Sequence, residues 1–256
     1  MPRQRHRIAG IPFDFLPPGL VVEAIVRQPA SRPLAVCMVN PHTVMSCHRR
    51  ADVRNAVLAA DLILPDGVGI SLASRILGLS RCTRVPGPSL VLYLCDAGRS
   101  AGLKHFFYGG APGVARRMAG RLAARYPGLQ VAGCHSPDFV PDARDIPEPD
   151  RALINRSEPD IVWVGLGSPK QEMWVARNAS KLRARAVIAV GAAFDFHSGN
   201  VPWAPEWARD IGIEWLYRLT KEPARLWRRN LDSPLFLGAV LRDLFQRRRL
   251  DTSTQT

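Results

Sequence analysis

The sequence predicts an α/β fold with a mainly parallel sheet and flanking helices, and three observations carry that reading. Short apolar runs at 34–39, 62–64, 104–108, 160–164 and 186–190 lack the apolar/polar alternation of a sheet with one wet face. They read as strands buried on both sides. Each run ends in a turn built from Pro, Gly, Asn or Asp, and most of these turns open a stretch with apolar residues at helical spacing. Strand, turn and helix recur, the pattern of βα units.

In chain order, residues 8–30 read as a short strand or turn and then a helix, with Leu20, Val21, Ala24 and Ile25 at helical spacing. The strand at 34–39 ends in Asn40-Pro41-His42-Thr43, which can start a helix running to about Ala60. Asp61 to Gly69 reads as a second strand with a site at its end. A helix from Ile70 to Gly78 follows, then a basic segment, Arg81 to Pro88, and a helix from Ser89 to about Ser100. Lys104–Tyr108 runs into Gly109-Gly110-Ala111-Pro112-Gly113, after which Val114, Met118 and Leu122 mark a helix stopped by Tyr126-Pro127-Gly128. Residues 134–150 read as a surface loop with one helical turn at most. The last two strands, 160–164 and 186–190, end at Gly165-Leu166-Gly167 and at Gly191.

Beyond Gly199 the texture changes. Trp203, Trp207, Trp215 and Trp227 accompany nine Lys/Arg against three acidic residues over 218–249, which reads as a basic, aromatic, helical appendage. The expected division is an α/β core at 1–199 and an appendage at 200–256. A chain of 256 residues with 46% hydrophobic content suits one core with such an addition.

A net charge of +13 favours an anionic partner: nucleic acid, an acidic membrane surface or a phosphorylated substrate. Cys37, Cys47, Cys82, Cys95 and Cys134 are scattered and form no C-x-x-C pair, so neither a disulfide framework nor a zinc site is suggested and a reducing cytoplasm is the expected compartment. The basic N-terminus lacks a signal-peptide core, and no apolar run approaches the roughly 18 to 20 residues of a membrane span.

Asp66, in Leu64-Pro65-Asp66-Gly67-Val68-Gly69, would emerge beyond the carboxyl end of a strand, where parallel sheets bind ligands. The same residues also make an ordinary turn. Glycine loops at 67–69, 109–113 and 165–167 could bring backbone N–H groups to a phosphate or serve only as βα turns, and none matches G-x-G-x-x-G. Gln171 completes the S-x-x-Q form of a capping box with Ser168. Arg225, Arg228 and Arg229 suit either a diphosphate or a solvated helix face. No D-x-D pair occurs and the histidines have no ligand spacing, so arginines rather than a metal would neutralise a diphosphate, and His42 and His197 read as surface or satisfied side chains. Pro234 to Phe245 with Arg247-Arg248-Arg249 has the pattern of an interfacial helix, or of one packed on the core.

Taken together, Asn40-Pro41, Leu64–Gly69, Arg84-Val85-Pro86-Gly87, Tyr126-Pro127-Gly128, Pro159–Glu172, Phe194-Asp195-Phe196, Ala204-Pro205 and Glu214–Leu219 with Glu222–Arg225 resemble the WecG/TagA/CpsF family of bacterial glycosyltransferases, from about Ile8 to Leu237. The resemblance implies a Rossmann-like domain that transfers a sugar, N-acetylmannosamine or a glucose-type hexose, from a UDP-sugar to an undecaprenyl-diphosphate-linked sugar. It also implies inversion, no metal and no cofactor. By position, Asp66 matches a general base, and Asn40, Arg84 and Gln171 match pocket residues. Arg218, Arg225 and one of Arg228 or Arg229 match appendage arginines that hold the UDP diphosphate. The implied location is the cytoplasmic face of the membrane, with the appendage docked on anionic lipid; an oligomer is possible. Residues 215–236 are more similar to exopolysaccharide-type members. Three positions depart from the family pattern: Met38 for Thr, Ser89 for Asp and Trp203 for Arg. They motivate a second reading, a member that binds a sugar nucleotide without transfer. A third reading, a polyanion-binding protein, rests on charge alone; no nucleic-acid module is present and none is expected as partner.

Overall fold

The apolar runs form the central sheet in the computed structural model, which describes residues 5–79, 82–138, 145–221, 223–224 and 231–253, with the backbone alone at 210, 218 and 248–253. An antiparallel hairpin comes first, β1 (Arg5–Ile8) and β2 (Ile11–Asp14). Six parallel strands follow: β3 (Leu34–Val39), β4 (Leu62–Pro65), β5 (Lys104–Gly109), β6 (Gln130–His135), β7 (Ile161–Gly165) and β8 (Ala186–Ala189). Their order across the sheet is β4-β3-β8-β7-β5-β6. Helices α1 (Pro18–Arg27), α2 (Pro41–Arg49), α3 (Ala51–Leu58), α4 (Val68–Ile76), α5 (Gly87–Ala97) and α6 (Val114–Arg125) alternate with the first strands. They are followed by α7 (Glu148–Arg156), α8 (Lys170–Asn178), α9 (Ala193–Ser198), α10 (Glu206–Asp210), α11 (Glu214–Lys221) and α12 (Asp232–Ser253). The α/β expectation with a parallel sheet holds, and the fold is Rossmann-like.

Side chains leave each strand alternately, and in β3, β4, β5, β7 and β8 both sets are largely buried. Val36, Met38, Leu62, Leu64, Phe107, Trp163 and Ile188 face one layer, with α1, α5, α6 and α9. Cys37, Val39 and Ile63 meet α2, α3, α4 and the hairpin on the other side, and Phe106, Val162 and Val187 meet α8 there. Each such aliphatic or aromatic side chain contributes about 1.5–3 kcal/mol on burial, which fixes the layers before any polar group acts.

The strand order positions the site. From β3 the chain steps outward to β4, crosses to β5 and β6 at the far side, and returns through β7 to β8, which pairs with β3. After β3 it turns into α2 on one face, and after β8 into α9 on the other. A crevice therefore opens between the carboxyl ends of β3 and β8, the topological switch point where ligands bind in such sheets.

Several sequence expectations are corrected. β6 was not read as a strand, and its last two residues and the first three of α7 fall within the region 134–150 read as a loop. β6 is an edge strand with a half-exposed outer side, and its Gly133 lies where a Cβ would meet the Phe106 ring at 2.6 Å, so it carries no apolar run to read. The helix expected from Asn40 to Ala60 is broken at Arg50, whose backbone is extended at φ −137°, ψ 115°. The helix after Asp66 begins at Val68, earlier than read. Its early start needs Gly69, because a Cβ there would stand 2.5 Å from Pro41 Cγ.

Candidate active site

Val39 is in register with Pro65, so the next residues, Asn40 and Asp66, leave adjacent strand ends side by side. The Asp66 N–H donates to Val39 O (2.9 Å), and Gly67 follows with φ +84°, a left-handed conformation that favours glycine. Asn40 caps α2: its Oδ1 accepts from the Thr43 N–H (3.1 Å) and from Thr43 Oγ1 (3.3 Å). The cap occupies the carbonyl end of the amide, and Nδ2 is thereby turned to Asp66 Oδ2, a long contact of 3.5 Å. Thr43 Oγ1 also reaches Ser168 Oγ at 3.3 Å, which ties the loop after β7 to the start of α2.

Gln171 does not act as the capping residue its spacing suggests. Pro169 is the N-cap of α8, no side chain caps that end, and the Ser168–Pro169 peptide is cis. The Gln171 amide instead donates from Nε2 to Glu172 Oε1 (3.1 Å) and stands over Gly191, where a Cβ would meet Oε1 at 3.0 Å. Gln171 is 4% exposed, and its Oε1 has no hydrogen-bond partner among the described residues. A buried carbonyl oxygen left so costs about 1–3 kcal/mol. Four neighbouring strands, β4, β3, β8 and β7, thus deliver Asp66, Asn40, Gly191 and Gln171 to one edge.

Arg84 crosses above this edge. The Val85 N–H donates to Pro65 O (3.0 Å), and Gly87 lies so close to β8 that a Cβ would stand 3.3 Å from Val190 O. Arg84 Nη2 donates to the Arg209 carbonyl (2.7 Å), and the Arg209 guanidinium stacks on Trp203 at 3.9 Å. Trp203 in turn donates from Nε1 to Glu214 Oε1 (3.3 Å) and meets His197 edge-on at 5.3 Å. His197 Nε2 lies 2.9 Å from Pro88 O, next to Ser89. Trp203 therefore sits within a chain of contacts that runs from Arg84 to the Pro88 carbonyl, one residue before Ser89.

In the glycine loops at 109–113 and 165–167, Gly109 and Gly165 are required by close packing. A Cβ at Gly109 would stand 2.6 Å from the Gly165 backbone, and one at Gly165 2.3 Å from the Phe194 ring. Burial pushes the Cys47 thiol up to about 11 and Cys95 up to about 12, which removes both as nucleophiles.

The C-terminal helix is tied to the same region. Asp232 accepts from His42 Nδ1 (2.5 Å) and from both terminal nitrogens of Arg49 (2.5 and 3.0 Å), all on α2, whose cap is Asn40. His42 and His197 are thus satisfied, as expected. Burial of Asp232 raises its carboxyl, but the hydrogen bonds from Arg49 and His42, with their charge, outweigh it and hold it below the usual range. A depressed folded-state pKa gives stability that is present above the ordinary carboxylate pKa of about 3.9 and is lost as pH falls through the folded value. Asp232→Asn should therefore lower the melting temperature at neutral pH and flatten its fall in acid. Melting curves of the same steepness against pH for both proteins would contradict this.

Of the expected site residues, Asp66, Asn40, Arg84 and Gln171 occupy this edge and its rim. Arg218 lies on α11, where the backbone alone is described; Arg225, Arg228 and Arg229 lie outside the described residues. Thr43, Ser168, Glu172, Trp203 and Arg209 were not singled out as site residues. The Asn-x-x-Thr spacing of an N-cap could have found Thr43, but Glu172 and Arg209 carry no local signal.

Residues 6–250 match the family described as Glycosyl transferase WecG/TagA/CpsF family. The chain is also similar to N-acetylglucosaminyldiphosphoundecaprenol N-acetyl-beta-D-mannosaminyltransferases of two organisms. With that of Bacillus spizizenii it shares 33% identity over 207 residues, 81% of this chain and 78% of the relative. With that of Bacillus subtilis it shares 31% over 209 residues, 81% and 79% of the two chains.

Proposed function

Because the chain belongs to the WecG/TagA/CpsF glycosyltransferase family and is a glycosyltransferase, we propose that it moves a sugar from a UDP-sugar to an undecaprenyl-diphosphate-linked sugar, with inversion and without a metal. The relatives are named for transfer of N-acetylmannosamine to a diphosphoundecaprenol-linked N-acetylglucosamine. N-Acetylmannosamine or a glucose-type hexose is the donor sugar proposed here, in exopolysaccharide synthesis.

The observation that carries the reading is the Asp66 carboxylate at the switch-point edge, beside the Asn40 amide and across from the unpaired Oε1 of Gln171. Asp66 takes the proton of the acceptor hydroxyl as that oxygen attacks the anomeric carbon and the bond to UDP breaks. Gln171 Oε1 accepts from a sugar hydroxyl or amide N–H. Arg84, with Arg218, Arg225 and Arg228 or Arg229, offsets the charge that develops on the departing diphosphate. The direct test is a transfer assay with a panel of UDP-sugars and a lipid-diphosphate-linked acceptor. UDP-sugar binding with no transfer across the panel would favour the non-transferring member instead.

We assign 1–199 to the α/β core and 200–256 to an appendage that docks on anionic lipid from the cytoplasmic side. No helix among the described residues is long and apolar enough to cross a membrane. α12 turns Phe236, Ala239 and Val240 into the core, yet Leu237, Leu241 and Phe245, at intervals of four, are 44%, 39% and 62% exposed. Trp207, Ile211 and Trp215 add exposed apolar area on α10, the turn after it and α11. An apolar stripe beside basic residues is the signature of interfacial binding. Removing the whole helix would also open the core, so the stripe alone must be changed. A variant with Leu237, Leu241 and Phe245 replaced by Ser should keep its fold and lose most sedimentation with anionic liposomes. Undiminished sedimentation would place lipid binding elsewhere or nowhere.

A further inference from the structure

A second concave site lies away from the catalytic edge, between α5, α6, α9 and the segment 199–203. It is a half-open cavity of about 540 Å³, a volume within the range of small-molecule sites. None of Asn40, Asp66, Arg84 or Gln171 lines it. Its wall is apolar and aromatic, from Leu92, Leu122, Phe196, Val201 and Trp203, and its charged groups are Arg121 and Arg125, one turn apart on α6.

The two arginines are not accounted for by ion pairs. Neither has a carboxylate partner among the described residues, and α6 contains no acidic residue at all. Arg121 is seated by a glycine: Gly199 has φ +76°, and a Cβ there would lie 2.2 Å from Arg121 Nη1. Arg125 leans over the Tyr126 ring at 5.5 Å. Arg209 stacks on the Trp203 ring at 3.9 Å without itself lining the cavity. Their combined field registers on His197, which is 8% exposed at the cavity wall. Burial pushes its pKa down to about 4; the hydrogen bond to Pro88 O comes next and raises it, and the charges of Arg125, Arg209 and Arg121 each lower it by less. The imidazole is therefore neutral at pH 7, and among the described lining residues the charged side chains, Arg121 and Arg125, are both cationic. Like charges one turn apart at a concave surface repel, and an anion relieves that repulsion.

We propose that this cavity binds a phosphate-bearing ligand with an apolar or aromatic body, the phosphate between Arg121 and Arg125 and the body against Leu92, Phe196 and Trp203. Guanidinium forks match phosphate oxygens, and the wall offers aliphatic and aromatic side chains to a ring or an acyl segment. The phosphate can come from a soluble ester or from the headgroup of a membrane lipid. The site goes beyond the transfer reaction and shares with the active-site contacts only Trp203 and His197, at the end of the chain that runs through Arg209 to Arg84.

The test uses the full chain with two probes: phenyl phosphate for the soluble source, and dihexanoyl phosphatidic acid below its micellar concentration for the lipid source. Calorimetry should show saturable binding of at least one. Binding of phenyl phosphate alone assigns a soluble ligand, and binding of the lipid alone assigns a headgroup; either supports the cavity. Arg121 and Arg125 are exposed, so R121Q/R125Q should fold with an unchanged melting temperature while the affinity falls roughly tenfold or more, as expected for lost charge-assisted bonds. Trp203→Phe should remove the change in tryptophan emission on binding, and Arg84→Ala should leave the affinity as it was. No saturable binding of either probe overturns the proposal. So does affinity that survives R121Q/R125Q, or that is lost in Arg84→Ala, which would put the probes at the catalytic edge.

Discussion

Asp66→Asn is expected to lower turnover by about 100- to 10,000-fold while UDP binding stays close to that of the unaltered protein, because a positioned general base contributes on that scale. The substitution keeps shape and removes the ability to accept a proton at neutral pH. Its surroundings are set by backbone, through the Asp66 N–H to Val39 O bond, and by the Asn40 amide, whose orientation the cap of α2 fixes. An asparagine can hold the same place, so a loss of rate would not come from a collapsed site. The expected split is a fall in kcat with KM for the UDP-sugar nearly unchanged, since the group acts in the transition state and not in donor binding. Turnover near normal in this variant would take Asp66 out of the base role and leave the edge without a proton acceptor among the assigned residues. Asn40→Ala is the companion measurement. It frees the carboxylate from a long 3.5 Å contact and uncaps α2, so it should cost stability of about 1 kcal/mol as well as rate.

Much of this edge could be read in advance, because the buried strands announce themselves. Leu34–Val39 and Leu62–Pro65 are apolar without alternation, and the residues just past them, Asn40 and Asp66, could be placed at strand ends before their register was known. Pairing across the chain could not be read. Nothing local in the sequence sets β8 between β3 and β7, and only that order brings Gly191 under Gln171 and makes a capping motif into a pocket wall. The same holds for Arg84: its neighbour Arg209 is far along the chain, and the bond is to a backbone carbonyl, which leaves no trace in composition. β6 was missed for a different reason. Its exposed outer side relaxes the demand for apolar residues that makes inner strands legible. On α12 the pattern held two apolar faces at once, and only packing separates Phe236 and Val240, which are buried, from Leu237, Leu241 and Phe245, which are not.

Arg225→Ala is expected to lower turnover by roughly 100- to 1,000-fold, the usual cost of losing one preorganised partner of developing charge. Arg225, Arg228 and Arg229 lie outside the described residues, so the case for them rests on sequence position and on the anchors to either side. Arg229 stands three residues before Asp232, which is bonded to His42 and Arg49 on the helix that Asn40 caps. A three-residue span covers at most about 11 Å, and the seven residues from 225 to 232 at most about 25 Å. On the other side α11 is held through Glu214 to Trp203, and Trp203 through Arg209 to Arg84. Both attachments lead back to the edge that holds Asp66, and this supports a diphosphate role over a purely solvated face. The two readings separate in kinetics. A group that steadies the departing diphosphate should lower kcat and weaken UDP as a product inhibitor together, and Arg225→Lys should restore only part of the loss because a single ammonium lacks the guanidinium fork. A surface arginine would change neither by more than about threefold, the scale of an exposed charge worth under 1 kcal/mol. Such a result would leave Arg84 as the described cation at the site and require the leaving group to be neutralised by another means.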